Sequence, residues 1–222
     1  MCGRFEIHSA LDIIAKLFGI DITGFEFLPS YNITPGQDIL LIVQNGNRRL
    51  VKGRWGFIPP WAKDPATGYK MINAKAETLG EKPSYRQAFE TQRCLVIADG
   101  FYEWKKEGTK KRPYYIRLRS GQPFGFAGLY NVWTSPEGKR ICTSTIVTTD
   151  ANELVRPVHE RMPVIVLPDR CDAWLGGNDA NTLASVLKPY PADKMEMYPV
   201  TPKMNSFTYD APENIVPLTG DS

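Results

Sequence analysis

Apolar positions along this chain change period repeatedly, and the changes mark out its elements. Leu11, Ile13, Ile14, Leu17 and Phe18 share one helical face, with Ser9 as a candidate cap and Gly19 as the stop. Residues 39–43 and 50–57 read as two strands about Asn45-Gly46, a strong hairpin signal. A strand over 71–76 and a short helix over 84–91 follow. Strands over 94–98 and 101–105 come next, split at Asp99-Gly100. Three more strands, over 114–118, 124–133 and 140–148, keep the strand-and-turn rhythm. Residues 151–155 read as a helical turn or two, and 164–167 as a short strand. Pro168 suits the start of a helix reaching Trp174 and stopping at Gly176. A helix over 181–187 and a strand over 198–200 complete the pattern. No internal repeat, low-complexity linker or composition break interrupts it. The prediction is one α+β domain over 1–222, its sheet mainly antiparallel and its helices peripheral.

Composition narrows the function classes. Hydrophobic residues make up 42% of the 222, enough for a real core, and net charge is only +3. A nucleic-acid partner therefore needs its positive charge concentrated locally. Cys2, Cys94, Cys142 and Cys171 form no CxxC pair, and there are two histidines, so a metal site is poorly supplied and no cofactor is expected. No apolar run approaches the ~20 residues that span a bilayer, and no signal peptide is recognised. A reducing cytoplasm is the expected location.

Some residues stand out for their chemistry. If an aminopeptidase removes Met1, Cys2 carries an α-amine and a thiol on adjacent carbons. Such a 1,2-aminothiol condenses with aldehydes and closes a thiazolidine ring. Its amine, with an ordinary pKa of about 7.7–8.0, is partly neutral near neutral pH. The bland alternative is a buried thiol that acts as a small hydrophobe. Alternation through residues 101–104 puts Phe101 and Glu103 on one strand face and Tyr102 and Trp104 on the other. Glu103 is then either a desolvated carboxylate suited to proton transfer or a surface group paired with nearby lysines. His159 precedes a strand in a loop, a position that suits either a catalytic or a structural imidazole. Asn73 can orient an amine or cap a loop. His8 reads as surface. Basic and aromatic residues interleave at Arg4, Arg54-Trp55, Trp61-Ala62-Lys63, Lys75, Arg86 and Arg161, a mixture that grips phosphates and stacks on unpaired bases.

Several segments together resemble the SOS response-associated peptidase family of abasic-site processing proteins. They are Met1-Cys2-Gly3-Arg4-Phe5, residues 31–36, residues 55–61, residues 73–78, residues 93–104, and residues 148–163 ending in His159-Glu160-Arg161-Met162-Pro163. The resemblance implies a barrel-like antiparallel sheet and a positively charged cleft for single-stranded DNA, including single-strand to duplex junctions. It implies that the mature Cys2 attacks the ring-opened aldehyde of an abasic site and forms a thiazolidine DNA–protein crosslink. A β-lyase activity and crosslink reversal also belong to the implied repertoire. By position, Asn73 holds the amine, Glu103 shuttles protons and His159 assists ring opening and reversal. Arg4, Lys75, Arg161 and Arg86 match phosphate contacts, and Pro35 and Trp61 lie near flanking bases. Lys75 stands where many relatives carry Arg, losing the bidentate fork, and Ile97 where many carry Pro. A monomer, nucleoid-associated when bound to DNA, is expected. Two other readings stay open: a thiol peptidase acting on itself or on others, and a non-covalent single-stranded DNA-binding module.

Overall fold

A computed structural model describes residues 2–218. β1 (Phe5–Ile7) and α1 (Leu11–Phe18) lead to β2 (Ser30–Ile33) and the hairpin β3 (Asp38–Asn45) and β4 (Asn47–Trp55). Then come β5 (Asn73–Lys75), α2 (Pro83–Thr91), β6 (Arg93–Ala98), β7 (Gly100–Glu107) and β8 (Lys110–Leu118). β9 (Phe124–Thr134), β10 (Arg140–Asp150), β11 (Arg161–Pro163) and β12 (Ile165–Val166) follow. α3 (Cys171–Leu175), α4 (Ala180–Val186) and β13 (Met195–Pro199) close the order.

Five strands form a ring in the order β10, β4, β3, β6, β9, with β9 returning to β10. Only the β4–β10 pairing in this ring is parallel. Closure leaves the long apolar strands no open edge, which suits the fully buried runs of β3 and β6. The β3–β4 hairpin turns at Gly46, whose φ of 77° is available to glycine without a steric penalty, as its sequence predicts.

A second sheet, ordered β13-β8-β7-β1-β2, packs against this barrel. Aromatic rings make the joint. Phe5 of β1 meets Trp55 edge-on at 5.0 Å and Phe126 at 5.8 Å, while Phe101 of β7 reaches Phe126 at 5.9 Å. All four side chains are buried. Burial of one such ring stabilises the joint by about 1.5–3 kcal/mol. The consequence for function is positional: Phe5 pins β1, and with it the three residues before it, against the barrel.

The split at Asp99-Gly100 separates more than two strands of one sheet, since β6 belongs to the barrel and β7 to the second sheet. Gly100 is required there, because a Cβ would lie 2.4 Å from the Tyr115 ring. Ser9 does not cap α1. Ala10 holds that position, and Ser9 instead donates from N and Oγ to the Asp99 carboxylate. Residues 151–155 form turns rather than helix, held by Asn152 Oδ1 accepting from Val155 N. The helix expected from Pro168 begins as a 3₁₀ turn over Pro168–Arg170 before α3. Among the described residues, no helix is long and apolar enough to cross a membrane.

Candidate active site and nucleic-acid interface

Cys2 lies at the entry to β1 and is fully buried. The Arg4 carbonyl fixes the turn there, accepting from Tyr102 N at 3.0 Å and from Cys2 Sγ at 3.8 Å. Asn73 Nδ2 donates to the Cys2 carbonyl at 2.7 Å. Asn73 itself is placed by β5, which pairs in parallel with β10 so that Asn73 stands opposite Ile146. Its own carbonyl accepts from Tyr85 Oη at 3.4 Å. Its Oδ1 is buried and has no hydrogen-bond partner among the described residues. Met1, on whose removal the aminothiol reading depends, lies outside the described residues.

Glu103 is 3% exposed, which removes the reading of a surface carboxylate paired with lysines. Burial pushes its pKa up to about 7. The strand faces divide as the alternation predicts. Phe101 joins the main core, while Tyr102 packs with Tyr115, Val200 and Met204 on the other side. Burial, and secondarily the Glu103 charge, holds the Cys2 thiol far above the ordinary thiol range. The thiol is therefore protonated at neutral pH, and Glu103 is close enough to influence it.

His159 is half-buried, and burial lowers its pKa. The Arg161 backbone N–H donates to its Nδ1 at 2.9 Å. A neutral ring held this way carries its proton on Nε2. Arg161 follows at 8% exposure. Its Nη1 and Nη2 grip the Glu77 carboxylate at 2.8 and 2.9 Å, Nη1 also reaches Asp150, and Nη2 donates to the Thr148 carbonyl at 2.6 Å. Glu77 is held below the usual carboxylate range by Arg161 first and, more weakly, by Lys75. Lys75 is exposed. Lys75, Glu77, Arg161 and His159 thus form one electrostatic chain beside Asn73.

Arg4 is partly buried. Its Nη1 donates to Asn32 Oδ1 at 2.5 Å and to the Met204 carbonyl at 3.0 Å, and its guanidinium lies 5.9 Å from the Trp104 ring centre. Trp61 is 59% exposed on a loop that is stapled from beneath. Asn131 and Trp133 of β9 donate to the Ile58 and Ala62 carbonyls, and Ile58 N donates to Thr143 Oγ1. Pro35 is half-buried and Arg86 is exposed on α2. No hydrogen bond, ion pair or ring contact among the described residues ties Pro35, Trp61 or Arg86 to Cys2.

A buried polar cluster escaped sequence reasoning. His8 is not a free surface residue. Its Nδ1 sits 2.9 Å from Glu6 Oε2 and 3.5 Å from Asp99, and its ring stacks on Tyr31 at 5.7 Å. Glu6 is fully buried and accepts from Tyr115 Oη at 2.6 Å, and burial pushes its pKa up to about 7. Hydrogen bonds already occupy Glu6 and Asp99. The available signal was a Glu in a short strand flanked by core residues, with a His just past the strand's end.

A barrel and sheet joined through Phe5, holding a buried thiol at the start of the first strand beside an amide and a raised-pKa carboxylate, define the class. The family model described as SOS response associated peptidase (SRAP) matches residues 1–207, and the chain belongs to that family. It is 50% identical to abasic site processing protein YoqW of Bacillus subtilis (strain 168), over 97% of this chain and 99% of the relative. It is 32% identical to abasic site processing protein HMCES of Gallus gallus, over 86% of this chain and 67% of that one. A crystal structure of a protein from Bacteroides thetaiotaomicron superposes with a TM-score of 0.87 at 26% identity, covering 98% of this chain and all of the other.

Proposed function

We propose that this protein processes abasic sites in single-stranded DNA, including single-strand to duplex junctions. After Met1 removal it captures the lesion covalently through Cys2. The observation that carries this reading is the Asn73 side chain. Its Nδ2 holds the Cys2 carbonyl while its buried Oδ1 stays unsatisfied, ready to accept from a Cys2 amine. A buried acceptor with no partner costs about 1–3 kcal/mol, and an N–H of the mature terminus relieves that cost. Relatives named as abasic site processing proteins support the same reading.

The Cys2 amine adds to the aldehyde carbon of the opened sugar, and water leaves to give an imine. Glu103, poised near pH 7, donates the proton that the departing oxygen needs and takes one back from nitrogen. The S–H of Cys2 then adds across the C=N bond, sulfur to carbon and hydrogen to nitrogen, closing the thiazolidine. The high thiol pKa fits this order, with the amine acting first and the thiol second. His159, with its proton on Nε2, assists opening of the sugar and reversal. If a base takes the proton from the carbon next to the imine and the β-phosphate leaves before sulfur closes the ring, strand cleavage results, which is the lyase activity. Lys75 and Arg86 contact phosphates directly. Arg4 and Arg161 do so from anchored positions, and Pro35 and Trp61 meet the flanking bases. The protein acts as a monomer in the cytoplasm and needs no cofactor.

The test compares single-stranded DNA carrying a natural abasic site with DNA carrying an aldehyde-free analogue. The proposal expects a denaturant-stable adduct with the first only. Binding of both without an adduct contradicts it and leaves a binding module. Catalytic cleavage of a peptide substrate favours the peptidase.

A further inference from the structure

Between β4 and β5 the chain makes an excursion that carries a second exposed aromatic residue, Tyr69, and lies beside Arg54 of β4. Tyr69 is 64% exposed. Its ring nevertheless has a fixed seat. A Cβ on Gly36 would lie 2.7 Å from Tyr69 Cε1, so the ring rests directly on the glycine backbone. Gly36 is itself fixed by donating to the Trp55 carbonyl at 2.8 Å. Beneath the ring, the 3₁₀ segment Pro65–Lys70 lies against the end of β4 by a glycine-on-glycine contact. A Cβ on Gly56 would meet the Gly68 carbonyl at 2.8 Å, and one on Gly68 would meet the Gly56 carbonyl at 2.7 Å.

This crossing leaves a cavity of about 240 Å³ lined by Gly36, Arg54, Gly56, Asp64, Gly68 and Tyr69, among others. The Arg54 side chain makes no hydrogen bond or ion pair among the described residues, unlike those of Arg4, Arg93 and Arg161. Asp64, which also lines the cavity, is fixed by its Oδ1 accepting from Ala66 N. The lining therefore offers a flat aromatic surface, a donor fork and an acceptor. A carboxylate in the lining disfavours a phosphate. A planar, uncharged ring with donors and acceptors on its edge fits all three groups.

The cavity is tied to the candidate active site through a short stretch of chain. Tyr69 lies four residues before Asn73, so the intervening chain spans at most ~14 Å. Met71 N is tied to the Gly68 carbonyl, and the Ile72 carbonyl accepts from Trp55 Nε1 at 3.0 Å. A strand of DNA with its lesion at Cys2 would bring a neighbouring nucleotide to Tyr69.

We propose that this cavity is a subsite for one unpaired nucleobase flanking the lesion, stacked on Tyr69 with its edge toward Arg54 and Asp64. The inference rests on the abasic-site reading, because it takes the bound strand to pass Cys2. It also explains why an exposed tyrosine is held on a glycine seat: a stacking platform works when its ring is already immobilised.

The test uses single-stranded DNA with an aldehyde-free abasic analogue and a single 2-aminopurine moved stepwise through the flanking positions. The emission of 2-aminopurine is expected to change on binding at one position beside the lesion. That change is retained in Tyr69→Phe and lost in Tyr69→Ala, which also binds about tenfold more weakly. Tyr69→Leu, which keeps bulk on Gly36, is expected to behave like Tyr69→Ala and separates stacking from loop support. Arg54→Gln is expected to weaken binding to a 2-aminopurine-free strand severalfold. Unchanged emission together with affinity within twofold of the parent in Tyr69→Ala overturns the subsite. Crosslinking to a natural abasic site is followed in parallel. A parent that stacks the base but forms no adduct contradicts the abasic-site reading and leaves the subsite standing.

Discussion

Asn73 holds the Cys2 carbonyl at 2.7 Å, a contact between residues 71 positions apart. It joins the residue at the entry to β1 to β5 on the barrel's β10, and so makes the position of Cys2 a property of the barrel. Asn73→Ala removes both the donor and the buried acceptor. The variant is expected to fold and to crosslink about 10- to 100-fold more slowly, through misplacement of the amine. Single-turnover gel assays read the rate. Asn73→Asp loses the donor but keeps an acceptor for the amine, and is expected to recover part of the rate.

Glu103→Gln keeps the shape of the side chain and removes its proton exchange. Crosslinking is expected to slow by about 100-fold or more. The parent's rate profile should bend near pH 7, the value to which burial raises this group, and the variant's should lose that bend. Identical profiles would take Glu103 out of the scheme.

Glu6 and Glu103 both have folded pKa values raised to about 7 by burial, and Glu6 with Asp99 raises His8. The sign follows directly. Between the ordinary carboxylate pKa and about 7 the folded state binds more protons than the unfolded chain, so stability falls as pH rises through that window. His8 acts in the same sense, since stability from a raised histidine is lost as pH climbs past its folded pKa. Each carboxylate contributes up to about 3 kcal/mol. Calorimetry is expected to give a higher Tm at pH 5 than at pH 8, and Glu6→Gln is expected to flatten the difference.

Arg161→Lys keeps the charge and loses the fork that grips Glu77 while also reaching Asp150 and the Thr148 carbonyl. The expected loss is about 2 kcal/mol, or about 4–8 °C in Tm. The backbone N–H that sets the His159 tautomer is kept by lysine, so crosslink reversal is expected to change less than stability does.

The sequence made local structure legible where one local rule dominates. The Asn45-Gly46 hairpin, the Gly19 stop of α1 and the alternation that buries Glu103 behind Phe101 were all readable. Ring closure was not, because the β4–β10 and β9–β10 pairings join distant segments that no local pattern links. Ser9 misled as a cap because Asp99, 90 positions away, binds it better than the helix end does. His8 misled because its partner Asp99 lies 91 positions away and no local pattern links them. For the site, residue types and motifs pointed to Cys2, Asn73, Glu103 and His159. The commitment of Arg161 and Arg4 to protein partners became visible only in three dimensions.

Peptide mapping of the adduct tests the central claim most directly. Mature protein is incubated with single-stranded DNA carrying a natural abasic site, digested and analysed by mass spectrometry. The account predicts a deoxyribose adduct of protein plus DNA less one water, on the peptide that begins with Cys2, with both its nitrogen and its sulfur blocked. Cys2→Ala is predicted to give no stable adduct while its N-terminal amine still supports strand cleavage. An equally stable adduct in Cys2→Ala, or one mapped to another residue, would contradict the account.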